Sequence, residues 1–452
     1  MAKLASRQWS YIVLLLIYTA SLAMIGFLGK RDEFAGIIIG QTLAFGAFGG
    51  LLWRALFLKK PVTSAFIALA AVRLCLIWAE PGLSDDYYRY WWDGWLGLHQ
   101  IDVYAWTPRE LLDVYSQSPF ATALARNFPL LNSPDYHSVY PAISQFVFRI
   151  AVWLSRDDLW LFQCFMKLIY MLGDLSGIAA LFYLLPRFGL SRNHALLYYG
   201  NPLVIVELFG NLHTEHFMVN FLIVALSCLH LGRHTCYASA LALSALAKIT
   251  VLVWWPLFVR RPLYRILHLY IALAMLATGL TLWLSASGSR AGFLQSLKLY
   301  FQTFEFNSAL YLHLKTSFHS SKLYGLEQYT GWMLLGVFVI CYAILLIRNF
   351  QQQPSGSAQF AFLWWSLALY LLLSSTVHPW YLCPLLFPGI FYLSWTSLLW
   401  SYLVVWSYSF YDSCMGYWSA WFTAAQFIVA AVAAWIEHRY NRARAIPQST
   451  QV

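Results

Sequence analysis

Apolar stretches recur along the chain, at 9–29, 34–58, 62–80, 138–155, 158–185, 194–209, 215–231 and 236–258 in its first part alone. A helix crosses the hydrocarbon core with about 20 apolar residues. In lipid the backbone must satisfy its own hydrogen bonds, which selects helices or closed barrels. The runs are too uniformly apolar for the in-out alternation of a barrel strand. The pattern therefore predicts an all-α, polytopic transmembrane helical bundle with about 11–13 membrane segments. No stretch reads as a separate soluble domain, so residues 1–452 are taken as one membrane domain. The first apolar run is too long for a signal core and lacks a small-residue cleavage pattern, so it is expected to remain as an anchor.

Basic residues orient the bundle. Lys3 and Arg7, Lys59 and Lys60, Arg260, Arg261 and Arg265, Arg348, and Arg439, Arg442 and Arg444 mark cytoplasmic ends by the positive-inside rule. Three crossings then put residues 81–140 on the outer face, as a loop carrying short helices. Counting back from a cytoplasmic tail at 437–452 puts a second loop, 287–330, and His378 on the same face. Between 138 and 258 the charge balance favours a flat segment at 138–155 and a segment at 236–258 that dips in and out. That arrangement brings His213 and Glu215 outward. It requires short or broken helices, which membranes tolerate where they line a cavity inside the protein.

Composition agrees: 60% of residues are hydrophobic and 11% charged, against about 25% charged in soluble domains. The net charge of +10 is accounted for by the cytoplasmic ends, so nucleic acid is not expected as a partner. The seven cysteines lie mostly in apolar runs and form no CxxC pair, which argues against a disulfide framework or a zinc site.

Acidic residues are scarce and unevenly placed. Of 19, seven fall within 81–140: Asp85, Asp86, Asp93, Asp102, Glu110, Asp113 and Asp135. The stretch GLSDDYYRYWWDGWLGLH at 82–99 follows an apolar run and sets Asp85, Asp86, Asp93 and Arg89 among six aromatics. Ser84, Asp85 and Asp86 suit a helix start. On a helix from about 85 to 98, Asp86, Arg89 or Tyr90, and Asp93 share one face. Tyr87, Trp91 and Trp95 make a neighbouring aromatic stripe. Acids concentrated in one aromatic-rich loop of a membrane protein suggest proton chemistry or binding of polar groups.

Other polar residues stand out against apolar surroundings. His213, Glu215 and His216 form HxEH, which is not the HExxH of metalloproteases and reads better as a polar substrate contact or a plain loop. Glu207 needs a cavity or a partner. Lys248 interrupts ALALSALAKITVLVWW, so it either snorkels to the surface or meets a buried anion such as a lipid phosphate. Asp174 and Arg73 pose the same question, and for each a helix-packing ion pair is the plainer reading. His378 precedes Pro379, Trp380 and Tyr381 at an outer helix boundary, and FEFN at 304–307 lies in the second outer loop.

In order, SDDYYRYWWDG (84–94), VYPAISQFVF (139–148), NPLVIVELFGNLHTEH (201–216), ALAKI (245–249), YFQTFEFNSALY (300–311) and HPWYLCPLL (378–386) resemble the GT-C superfamily of membrane glycosyltransferases. The look is nearest to bacterial polyprenyl-phosphate-mannose-dependent mannosyltransferases. Where those enzymes show GxNPY and YPP, this chain reads HQIDVY and YPA. The resemblance implies an integral protein of the bacterial cytoplasmic (inner) membrane with its active site outside. It implies transfer of a hexose, mannose by family likeness, from a polyprenyl-phosphate donor to a hydroxyl of a glycan or glycolipid acceptor, with inversion. Asp86 corresponds to the catalytic acid, with Asp85 next. Lys248, His378 and Arg89 are candidates for the donor phosphate. Asp93, His213, Glu215, Tyr381 and Asn307 are candidates for sugar or acceptor contacts. No metal or other cofactor is required, although paired acids leave room for a divalent cation. The rival reading is a transporter or flippase of lipid-linked or polar cargo, which would share the spans and the intramembrane charges.

Overall fold

The computed structural model describes residues 2–258, 274, 291–292, 295–296, 304–351 and 356–445. Among them there are helices and one isolated bridge, between Phe306 and Thr376, but no strand. Among the described residues five helices are long and apolar enough to cross a membrane: Trp9–Leu28, Phe34–Phe57, Leu159–Phe188, Thr330–Gln351 and Ser413–Asn441. Val204–Gly210 and Glu215–His230 together have the same length and apolarity but meet at 107°, the shape of a broken span or a re-entrant loop.

Fewer helices qualify as spans than the apolar pattern suggests. The runs at 62–80, 138–155 and 236–258 yield helices of 14 residues each, Thr63–Leu76, Ala142–Ser155 and His234–Ala247. Fourteen residues rise about 21 Å, short of a core about 30 Å thick. The short helices Ala142–Ser155 and His234–Ala247 and the 107° break are the irregularities anticipated for the middle of the chain, whereas the pattern predicts a full span at 62–80. Much of 287–303 lies outside the described residues. Helix Gly416–Ala445 carries through Glu437, where the cytoplasmic tail is expected to start. That carboxylate is buried, accepting from the Thr396 hydroxyl at 2.7 Å and the Thr396 amide at 2.9 Å.

The loop at 81–140 carries helices Asp86–Leu98, Pro108–Val114 and Ala121–Asn127. The second is started by a capping box between Thr107 and Glu110, with Pro108 in the first turn, the arrangement that satisfies free helix amides. Helix Asp86–Leu98 lies on helix Ala142–Ser155. At Gly94 a Cβ would come within 2.7 Å of the Phe148 backbone, so only glycine permits that approach. Tyr90 stacks on Phe148 with ring centroids 4.5 Å apart. The second loop touches the first, with the Tyr136 and Phe304 rings 5.4 Å apart and the Ser296 hydroxyl donating to the His137 carbonyl.

Arg73 and Asp174 form a helix-packing ion pair with each other, at 2.6 Å. Asp174 also meets His216 Nε2 at 2.8 Å, and Arg73 donates to the Tyr199 carbonyl. This network ties the helices at 63–76 and 159–184 to the first turn of 215–230, and so fixes where His213 and Glu215 sit. Removing one partner leaves a buried charge uncompensated, at a cost of about 3 kcal/mol. Arg73→Met is therefore expected to lower the thermal midpoint in detergent well below that of Arg54→Met, whose guanidinium instead stacks over the Tyr11 ring. An unchanged midpoint would show that the pair does not hold the helices.

Candidate active site

A cavity of about 400 Å³ opens between the loop at 81–140 and the broken helices. One side is polar, with Asp86, Tyr90, His213, Glu215, Lys248 and Tyr381. The other is apolar, with Val253, Leu334, Leu335, Phe338, Leu367 and Leu373. Its outer wall includes helix Thr330–Gln351, of which only 11% of the apolar window is buried, so this wall separates the cavity from lipid.

Asp86 is the first residue of its helix, where the helix dipole favours a carboxylate. Its Oδ1 accepts from Asn132 Nδ2 at 3.1 Å, and its Oδ2 lies 3.8 Å from His213 Nδ1. About a quarter of its side-chain surface, 26%, is open, and it faces a recess walled by protein. Burial there raises the Asp86 pKa above the ordinary aspartate value, more than the Asn132 bond and then Lys248 lower it. The group is a stronger base than a surface carboxylate.

Lys248 owes its position to a helix end. His234–Ala247 stops, Lys248 is extended at φ −154 and ψ 124, and a 3₁₀ helix resumes at Ile249–Trp254. The interruption turns the ammonium into the cavity, where it meets Glu215 Oε1 at 2.8 Å and sits 5.5 Å from the Tyr381 ring centroid. Among the described residues lining the cavity it is the one lysine or arginine. Of the two readings, snorkelling or a buried anion, the structure has the second, and the anion is a carboxylate from another helix.

Four rings stack behind this pair. His213 lies on Trp380 with centroids 3.6 Å apart, His378 on the far face of the same indole region at 4.3 Å, and Phe306 on His378 at 4.6 Å. The stack joins the break at 211–214 to the loops at 304–307 and 374–382.

Asp86, His213, Glu215, Lys248 and Tyr381 thus meet in one cavity, and five other expected site residues do not. Arg89 does not face a donor phosphate. It is buried, donating to Asp93 at 2.8 Å and to the carbonyls of Ser133 and Tyr136. Asp93 is equally occupied, accepting from Ser138 and Gln145. The two clamp the loop that carries Asn132, a task behind the site. Asp85 turns the other way and pairs with Arg31 at 2.5 Å. Asn307 is buried, with φ +47, and bonds the Val377 carbonyl, Thr423 and Gln426. His378 is outside the cavity lining, and burial followed by Lys248 holds its pKa down at about 3. Among the described residues no three side chains of the metal-ligating types converge. Asn132 and Trp380 gave no sequence signal: one is a loop amide, the other was indistinguishable from an interfacial tryptophan.

A multi-pass helical bundle with a recessed carboxylate, a single lysine and an apolar wall in one cavity defines an integral membrane enzyme. Residues 28–262, more than half of the chain, match the family described as alpha-(1->6)-mannopyranosyltransferase, N-terminal domain. The chain belongs to that family, and is a membrane glycosyltransferase of GT-C type that uses a sugar donor and a glycan acceptor. No curated protein and no solved structure matches it significantly.

Proposed function

We propose that this mannosyltransferase takes mannose from a polyprenyl-phosphate donor and transfers it to a hydroxyl of a glycan or glycolipid at the outer face of the membrane. The observation that carries the reading is that Asp86 and Lys248 line one cavity that also has an apolar wall, with Leu334, Leu335, Phe338 and Leu367. A hydroxyl nucleophile needs a base, and Asp86 is a carboxylate with a raised pKa in a recess. A departing phosphate gains charge, and Lys248 is the cation placed to meet it. Glu215 holds that ammonium in place until the phosphate arrives. An isoprenoid tail suits the wall formed by Leu334, Leu335, Phe338 and Leu367. Attack by the acceptor opposite the leaving phosphate, assisted by one base, inverts the anomeric centre. Nothing in this scheme calls for a metal or other cofactor.

The donor class is tested by offering the purified protein radiolabelled mannose as polyprenyl phosphate or as a nucleotide sugar, with a lipid extract as acceptor. Product is expected from the lipid-linked donor alone. Product from the nucleotide sugar alone would overturn the assignment.

The outer-face placement has its own test. Gln117 and Lys322 are exposed, one on each loop. Cysteines at 117 and 322, in a chain without native cysteines, are expected to react with a membrane-impermeant maleimide in intact cells. Protection of both until the cells are opened would place the loops inside.

A further inference from the structure

Behind Asp86 stands a second carboxylate that the transfer scheme does not use. Glu207 lies in the short helix Val204–Gly210, fully buried. Its Oε1 accepts from the Tyr408 hydroxyl at 2.8 Å. Among the described residues its Oε2 has no hydrogen-bond partner, and neither has His213 Nε2, yet these two buried atoms face each other at 3.7 Å. The other nitrogen of the same ring, Nδ1, lies 3.8 Å from Asp86 Oδ2. His213 thus stands between two carboxyl groups, one open to the cavity and one sealed from it. Both gaps are longer than a hydrogen bond, and a ring shift of about 1 Å closes one or the other in turn. Stacking on Trp380 at an interplanar angle of 12° keeps the ring in the plane that contains such a shift.

The inversion geometry gives this chain of groups a purpose. If the acceptor attacks opposite the phosphate, the proton taken by Asp86 ends on the wrong side of the sugar from the phosphate that finally needs it. Asp86 must lose that proton before it can act again.

We propose that His213 and Glu207 form a proton relay acting through Asp86, with Glu207 as the temporary holder. The step rests on the reading of Asp86 as the base. The O–H bond of protonated Asp86 breaks as a bond forms to His213 Nδ1. The ring then shifts toward Glu207, its Nε2–H bond breaks and an O–H bond forms on Glu207 Oε2. Asp86 regains its charge, Glu207 loses its own, and His213, an imidazolium between the two transfers, ends neutral in its other tautomer. When the sugar has left with the acceptor, the transfer runs backward and the proton passes by way of Asp86 to the phosphate monoester product. Tyr408 fixes Glu207 through the oxygen that takes no part, as such supporting partners do at metal and triad histidines.

Other titratable groups surround the relay. Asp85, Glu215, Lys248, Tyr90 and Tyr411 act on or face Asp86. Lys248 and His378 face His213, and Tyr408, Tyr411 and Cys383 face Glu207. The test must therefore separate the relay from a change in this shared field. Lys248→Met serves as the control, because it alters the field and leaves all three relay groups in place.

The pH dependence of kcat is to be measured with polyprenyl-phosphate mannose at saturation, for the full chain, His213→Gln, Glu207→Gln, Asp86→Asn and the Lys248→Met control. Glu207→Gln is isosteric and keeps an acceptor for Tyr408, so it preserves the test if His213→Gln does not fold. Both relay variants are expected to lose about 10–100-fold in kcat, with the donor KM within about twofold. Their acid limb is expected to move to higher pH, because nothing then draws the proton from Asp86. Folded variants whose acid limb stays at the wild-type pH would overturn the relay, whatever their kcat. The underlying reading fails separately: if Asp86→Asn turns over normally, Asp86 is not the base. If Asp86→Asn is inactive and the relay variants keep the wild-type limb, the base stands and only the relay is lost.

Discussion

Asp86→Asn is expected to abolish mannose transfer, lowering kcat by on the order of 10²–10⁴-fold. Asparagine keeps the shape, the bond with Asn132 and a fair helix start, and loses only the ability to take a proton. Asp85→Asn is expected to cost far less, since Asp85 is turned toward Arg31 and away from the cavity. The contrast between neighbouring residues isolates basicity from general damage. Stability should move the other way. The folded chain raises the Asp86 pKa, so it binds that proton more tightly than the unfolded chain does. Folding is then penalised once pH rises above the unfolded value, and the penalty is absent at lower pH. Asparagine removes the penalty, so the variant is expected to melt no lower than wild type at neutral pH. For the same reason wild-type activity should fall with acidification at a pH above the range of an ordinary aspartate. An Asp86→Asn protein that is folded and turns over normally would sink the assignment.

Lys248→Met is expected to lower activity at limiting donor by about 10²–10³-fold, the scale on which a single group stabilising a developing oxyanion acts. Dependence on acceptor concentration should change little. Methionine fills the space of the lysine stem but leaves Glu215, now without its ammonium at 2.8 Å, and so repels an incoming phosphate. Lys248→Arg keeps the charge and is expected to recover part of the loss. Equal effects on donor and acceptor use would place Lys248 in the fold and not at the phosphate.

What was legible in the sequence was the misplaced charge. Asp86 stood out because an acid opened an aromatic helix directly after an apolar run. Lys248 stood out because no acid lay within a helical turn of it. Both reasons are local, and both residues reach the cavity. Arg89 and Asp93 carried the same signal and misled. Helical spacing sets Asp86, Tyr90, Arg89 and Asp93 on neighbouring positions, but it does not say which of them faces the cavity and which faces the loop at 133–138. The structure turns Tyr90 to the cavity and leaves Arg89 and Asp93 to satisfy each other. Asn132 was silent because its bond to Asp86 spans 46 residues. His378 was read as exposed and cationic because its partners, Trp380 and Phe306, enclose it only after two distant loops meet. The helix breaks were foreseen from charge balance, whereas their position beside His213 depends on packing against Asp174 and Arg73.

The central claim is that the cavity between Asp86 and Lys248 breaks the bond between mannose and a lipid phosphate. The most direct measurement follows purified protein, reconstituted with polyprenyl-phosphate mannose labelled in both sugar and phosphate. The account predicts one polyprenyl phosphate released for each mannose joined to acceptor, in wild type and not in Asp86→Asn. Labelled donor that crosses the bilayer intact, with no polyprenyl phosphate released, would contradict it.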